Sequence, residues 1–67
     1  MMQIQFNDTR MEVEGGCSLE AFILEQKEVP ECAATVHNGR FVAKDQRGGV
    51  ILCDKDHVQT FVPIVGG

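Results

Sequence analysis

The 67-residue chain closes on Gly66 and Gly67, directly after the apolar run Phe61-Val62-Pro63-Ile64-Val65. A glycine carboxylate on such a tail is the group in this sequence best suited to react. Two glycines carry no Cβ atoms and can lie extended in a slot too narrow for a side chain. An enzyme that activates a carboxylate needs that access. Chain ends usually fray into polar residues, whereas this one stays apolar up to the glycines, as a segment that enters a partner would. The stretch from Ile64 to Gly67 reaches about 13 Å when extended, enough to probe a cleft while the folded body stays outside. The competing reading is a flexible end or cloning remnant with no role.

The other residue types that could do chemistry are dispersed. Cys17, Cys32 and Cys53 form neither a paired set nor a CxxC spacing, which argues for reduced thiols in a cytosol. With His37 and His57 they make five soft ligands, none at a spacing typical of zinc sites, so no metal is expected. Each cysteine is expected to be a small, partly buried hydrophobe and each histidine a surface strand or turn residue. Ten acidic against six basic residues leave a net charge of -4, and the basic residues are scattered, which disfavours nucleic acid as a partner. An acidic face including Asp54 and Asp56 would suit a basic protein, although solvated turn residues are the commoner use of such aspartates.

At this length the chain reads as one domain, 1-67, whose core is just large enough to hold a fold. Hollowing that core into a pocket of about 300 Å³ would cost its packing. A carrier, substrate or binding module is therefore expected rather than an enzyme. A long apolar stretch and a basic-then-apolar leader are both missing from the sequence, so it reads as soluble and cytoplasmic with no membrane partner.

The elements that must position the tail follow from periodicity. Met2, Ile4 and Phe6 alternate with Gln3, Gln5 and Asn7, which predicts a half-buried strand. Asn7-Asp8-Thr9 supplies a turn, and Met11 and Val13 alternate with Arg10, Glu12 and Glu14 to complete a hairpin. Gly15-Gly16 ends it. Ser18 is placed to cap a helix with Glu20 in the first turn, Leu19, Phe22 and Ile23 at helical spacing and Gln26 one turn on. Glu28, Pro30 and Glu31 signal its end. Ala33 to His37 predicts a strand, and Asn38-Gly39 a tight turn with positive φ before Phe41 and Val42. Lys44 to Gly49 reads as polar and irregular with room for one helical turn, Val50 to Cys53 as an apolar strand, Asp54-Lys55-Asp56 as a turn, and His57 to about Val62 as the last strand.

A hairpin, one helix and further strands suit an α+β roll in which a mixed sheet wraps around the helix. The first and last strands carry most of the strong β signal and are expected to pair side by side. In that case the tail leaves from the middle of the sheet. Phe61, Val62, Ile64 and Val65 can be read as core. If Val58, Thr60 and Val62 face inward, however, Phe61 lies on the outer face, where a large apolar group often marks an interface.

The opening Met-Gln-Ile-Gln-Phe-Asn-Asp, the Gly15-Gly16 pair before a Ser-capped helix, the Asp-rich turn before the final strand and the terminal Val-Gly-Gly together resemble the ThiS sulfur carriers of thiamine biosynthesis. The resemblance spans essentially the whole chain, although a terminal Gly-Gly is shared by all ubiquitin-like carriers. It implies a ubiquitin-like β-grasp fold with Gly67 as the working residue; the reach of the tail makes Ile64, Val65 and Gly66 the segment that enters a partner, and the outer-face parity makes Phe61 a docking residue. It further implies that an E1-like adenylating enzyme joins the carboxylate to AMP from Mg-ATP and that a persulfide donor replaces AMP with sulfur. Thiazole synthase then receives that sulfur. The carrier would bind no cofactor, and would be a monomer when free. Two positions depart from the family. Pro63 removes an N–H from the tail, and Lys55 stands where many members carry glycine.

Three other readings compete with this one. A carrier for molybdopterin or another thiolated product shares the chemistry. A ubiquitin-like binding module or modifier would use Gly67 in an isopeptide or not at all. A redox or metal protein would depend on its cysteines. The carrier reading predicts that serine at Cys17, Cys32 and Cys53 lowers the denaturation midpoint at most and leaves thiocarboxylate formation intact, as intact-mass analysis of the triple variant would check.

Overall fold

The period-two alternation at the start of the chain forms β1, Met2–Phe6, with Ile4 buried and Gln3 and Gln5 exposed. The computed structural model describes residues 1–62 apart from Glu28 and Glu31. Strand β2, Thr9–Val13, pairs antiparallel with β1 from Met2↔Val13 to Phe6↔Thr9, so Asn7 and Asp8 are the two turn residues. Asn7 takes φ 54°, in the left-handed region that asparagine tolerates better than most residues.

Helix α1, Leu19–Glu25, begins at the predicted cap: the Ser18 hydroxyl oxygen accepts from the Ala21 N–H at 3.1 Å. It ends at Gln26, whose N–H donates to the Ile23 carbonyl, four residues before Pro30. Leu19, Phe22 and Ile23 face the sheet and make the core with Ile4, Val13, Val42, Leu52 and Val58. The Phe22 ring meets Phe6 edge to face, with centroids 5.1 Å apart, a geometry that aromatic quadrupoles favour.

Strand β3, Ala34–His37, and β4, Arg40–Val42, form the second hairpin. Its Asn38-Gly39 turn has φ 50° and 84°, the pair of positive angles predicted for this dipeptide. Strand β5, His57–Phe61, runs parallel to β1 and antiparallel to β3. Among the described residues the strands thus form one mixed sheet ordered β2-β1-β5-β3-β4, with the first and last strands side by side as expected.

The helical turn allowed over Lys44 to Gly49 forms, whereas the strand expected over Val50 to Cys53 is corrected. Lys44–Gly49 is a full 3₁₀ segment that buries Arg47. Val50 to Cys53 is not a sheet strand. It makes a single bridge, Ser18↔Ile51, through Leu19 N–H to the Val50 carbonyl (2.7 Å) and Leu52 N–H to the Cys17 carbonyl (2.9 Å). Leu52 fills the core while Ile51 is exposed. A short apolar run reads the same whether it joins a sheet or closes the mouth of a roll, so periodicity could not separate the two.

The Asp54-Lys55-Asp56 turn forms despite its lysine. Lys55 adopts φ 71° and its N–H donates to the Gln3 carbonyl, while Asp54 Oδ1 accepts from the Gln3 N–H. A left-handed lysine is strained by roughly 1–2 kcal/mol, partly offset by the roughly 0.5–1 kcal/mol of entropy a glycine would lose on folding. Lys55→Gly is therefore expected to stabilise the protein by about 0.5–1 kcal/mol, visible as a higher urea midpoint at unchanged m.

Candidate functional site

Everything that could present the tail depends on where β5 ends and which way its last side chains point. Val58 is fully buried, and alternation from it turns His57, Gln59 and Phe61 to the other face of the sheet. Phe61 is 55% exposed and lies opposite Ala34 of β3, as the outer-face alternative anticipated. Val62, which that same parity would turn inward, is 54% exposed. Among the described residues the sheet pairing stops at Ala34↔Phe61, and none pairs with Val62. Ile64, Val65, Gly66 and Gly67, with Pro63, lie outside the described residues.

Two side-chain locks fix β5. Beyond the last β1 pair, Phe6↔Val58, the Asn7 N–H donates to the Val58 carbonyl at 2.8 Å. The Asn7 amide then makes a reciprocal pair with Thr60, accepting from its N–H (2.9 Å) and donating to its hydroxyl oxygen (3.1 Å). A turn residue of the first hairpin thereby extends the parallel ladder to within one residue of Phe61. The only sequence signal for this was an asparagine in a turn.

The other lock is centred on Asp56, which is buried rather than part of an acidic face. Its carboxylate oxygens accept from His37 Nε2 (2.7 Å), Asn38 Nδ2 (3.0 Å) and the Cys53 N–H (2.8 Å). Asn38 also exchanges bonds with His57, accepting at its side chain and donating from its backbone, each at 2.8 Å. The β3–β4 turn, the Cys53–Asp56 turn and the start of β5 are joined in one cluster. Burial pushes the Asp56 carboxyl upward, but bonds from His37, Asn38 and Cys53 and the charge of His37 outweigh it, so its pKa falls below the ordinary value. His37 and His57 are both strand residues, half-buried rather than on the open surface. The His57 Nε2 is buried without a hydrogen-bond partner among the described residues.

Arg47 is 7% exposed and donates from Nε to the Thr35 hydroxyl oxygen (2.9 Å) and from Nη2 to the Ala33 carbonyl (2.7 Å). Its guanidinium ties the 3₁₀ segment beneath β3, a role that a polar, irregular stretch did not announce. Cys32 and Cys53 are exposed, against expectation, and Cys17 is half-buried. Burial first, then the carboxylates of Glu25 and Glu14, push the Cys17 thiol up, which keeps it protonated and a poor nucleophile. Among the described residues no group of three or more His, Cys, Asp or Glu side chains is placed to hold a metal ion. An open, acidic groove there runs past Glu12, Glu14, Cys17 and Glu25. Among the same residues no helix is long and apolar enough to cross a membrane.

A mixed sheet of two hairpins with a central parallel pair, wrapped on one helix, is the ubiquitin-like β-grasp fold. No protein-family model matches the chain, and no curated protein matches it in sequence. Among solved structures it is similar to the thiamine biosynthesis protein ThiS of Geobacter metallireducens, at a TM-score of 0.79 and 18% identity, over 98% of this chain and 100% of that one. It is also similar to SAMP1 of Haloferax volcanii, at a TM-score of 0.64 and 16% identity, over 98% of each chain. The fold that the ThiS resemblance implied is therefore the fold observed.

Because the Asp56 carboxyl is held below its ordinary value of 3.8, it contributes stability that is complete above that pH and lost as acid protonates the folded state. Asp56→Asn, which turns one acceptor into a donor facing donors, is expected to cost about 1–3 kcal/mol at neutral pH. It should also flatten the acid limb of the stability curve below pH 4. Urea unfolding of both proteins from pH 7 to pH 2 checks both effects.

Proposed function

We propose that this chain is a sulfur carrier for the formation of the thiamine thiazole, with residues 1–67 acting as one ubiquitin-like domain and the Gly67 carboxylate as its working group. The observation that carries the reading is a ubiquitin-like roll whose central strand β5 runs toward the sequence Pro63-Ile64-Val65-Gly66-Gly67. The likeness in fold to a thiamine biosynthesis protein supports the choice of product.

A carboxylate is a poor electrophile at neutral pH because its charge repels nucleophiles and an oxide is a poor leaving group. Transfer of AMP from Mg-ATP, with pyrophosphate released, makes the Gly67 carbonyl an acyl adenylate. The terminal sulfur of a persulfide then attacks that carbon, and AMP departs with the bonding pair. A thiol reduces the resulting S–S bond to free the thiocarboxylate, whose sulfur is delivered to thiazole synthase. The adenylating enzyme, of the E1-like class, holds Mg-ATP; the carrier binds no cofactor and supplies no acid or base. Its contribution is an address, formed by the folded body and Phe61, and a tail of Ile64, Val65 and Gly66 narrow enough to thread an active site. The carrier acts as a cytoplasmic monomer when free.

The test is the intact mass of the chain after incubation with Mg-ATP, a persulfide source and the adenylating enzyme of the source organism. A gain equal to the exchange of one oxygen for sulfur, lost when Gly67 is removed, is the expected result. Binding to that enzyme with no gain, while the enzyme turns over ATP with another carrier, would sink the carrier reading and leave a docking module.

A further inference from the structure

Helix α1 leaves one apolar side chain uncovered. Ile23 is buried, yet Leu24 beside it is 77% exposed. The two line an open groove between α1 and the 3₁₀ segment, whose other wall is formed by Lys44 and Arg47. Glu20, one helical turn before Leu24 and beside Gly48, completes it. Two cations against one carboxylate make the groove net positive on a chain of net charge -4. Arg47 is committed to Thr35 and Ala33, whereas Lys44 makes no ion pair among the described residues. The groove also lies near the root of the tail. Arg47 Nη2 bonds the Ala33 carbonyl at 2.7 Å, and Ala33 directly precedes Ala34, the sheet partner of Phe61. Paired strands hold opposite Cα atoms about 5 Å apart, so the guanidinium stands within roughly 11 Å of the Phe61 Cα.

We infer that this groove is the seat of the chain's own C-terminal segment, with Ile64 and Val65 covering Ile23 and Leu24 and the Gly67 carboxylate paired with Lys44. Length allows it: Pro63 to Gly67 span up to about 17 Å, more than the distance to be crossed. Chemistry selects it as well. The segment is two branched apolar residues followed by an anion, and the groove offers an apolar wall and a cation without a partner. Burying the apolar pair against Leu24 supplies the attraction, while the exposed ion pair adds little strength and sets the direction in which the segment lies. Pro63 finds a use here. It fixes φ and has no N–H to extend a ladder, so the chain turns off the line of β5 and has less conformational freedom to lose on seating. Under the carrier reading, a seated carboxylate is withheld from adenylation until a partner draws the segment out. The seating itself belongs to the free chain and does not depend on that reading.

The test is ¹⁵N relaxation of the 67-residue chain in solution, with no enzyme present. Order parameters for Val65 and Gly66 above about 0.6, the upper bound of flexible backbone, are expected, together with methyl NOEs from Ile64 and Val65 to Ile23 and Leu24. Leu24→Ser and Lys44→Glu should each bring those order parameters below about 0.6 and remove the NOEs. Phe41→Ser is the control. Phe41 is 69% exposed and adjoins the buried Val42, which places it on the sheet face away from α1. It should leave the order parameters unchanged. All three substitutions alter exposed side chains, and circular dichroism with the urea midpoint reports folding. Order parameters below about 0.6 in the unsubstituted chain would overturn the inference, as would equal falls in all three variants or no fall in the two groove variants. Each of these outcomes leaves the carrier reading standing, because thiocarboxylate formation is measured separately.

Discussion

The fold depends on the pairing of its first and last strands. β1 and β5 meet in parallel at the centre of the sheet, through Gln5↔His57 and Phe6↔Val58, and every other element is arranged to make that pairing possible. Parallel strands cannot be joined by a tight turn, so the chain between them must cross one face of the sheet. It does so with α1, whose Leu19, Phe22 and Ile23 cover Ile4 and Val58 on the two central strands. A core this small has no second layer to absorb an error. Loss of the β1–β5 register would expose the side chains that α1 buries.

The parallel pair is short, and its ends are completed by polar side chains rather than by more strand. At one end Asn7 continues the ladder to Thr60; at the other, Asp56 gathers His37, Asn38 and Cys53 while Lys55 and Asp54 dock on Gln3. Each lock lies at a turn, where backbone groups lack ladder partners and would otherwise need water. Together they tie β5 to the neighbouring turns from His57 to Thr60.

Much of this was legible in the sequence. The alternation in Met2–Phe6, the Ser18 cap and the Asn38-Gly39 turn each rest on local physics that one segment can satisfy alone, and each formed where expected. The Val50 to Cys53 run was misread because its pattern fits both a strand and a plug; only the presence of Cys17 and Leu19 across from it decides. Cys32 and Cys53 were expected to be partly buried from their residue type and are exposed, while Arg47 and Asp56 are charged residues that the fold takes inside. Residue type sets only an average burial, and a charged side chain goes inside where the fold supplies its hydrogen bonds.

The sequence by itself determined the kind of fold, because hydrophobic period, caps and turn residues act over a few positions and leave one economical way to cover the helix. It also marked Gly67 as the candidate reactive end, on residue type alone. The tertiary structure decided which face of β5 carries Phe61, which residues of β3 and β4 lie beside it on that face, and which polar side chains lock the central strand. Those outcomes require residues from separate strands, such as Phe41 and Phe61 or Asn7 and Thr60, to be brought together by strand order and register. Neither order nor register is written in any single segment, because both arise only when all the strands share one helix and one core.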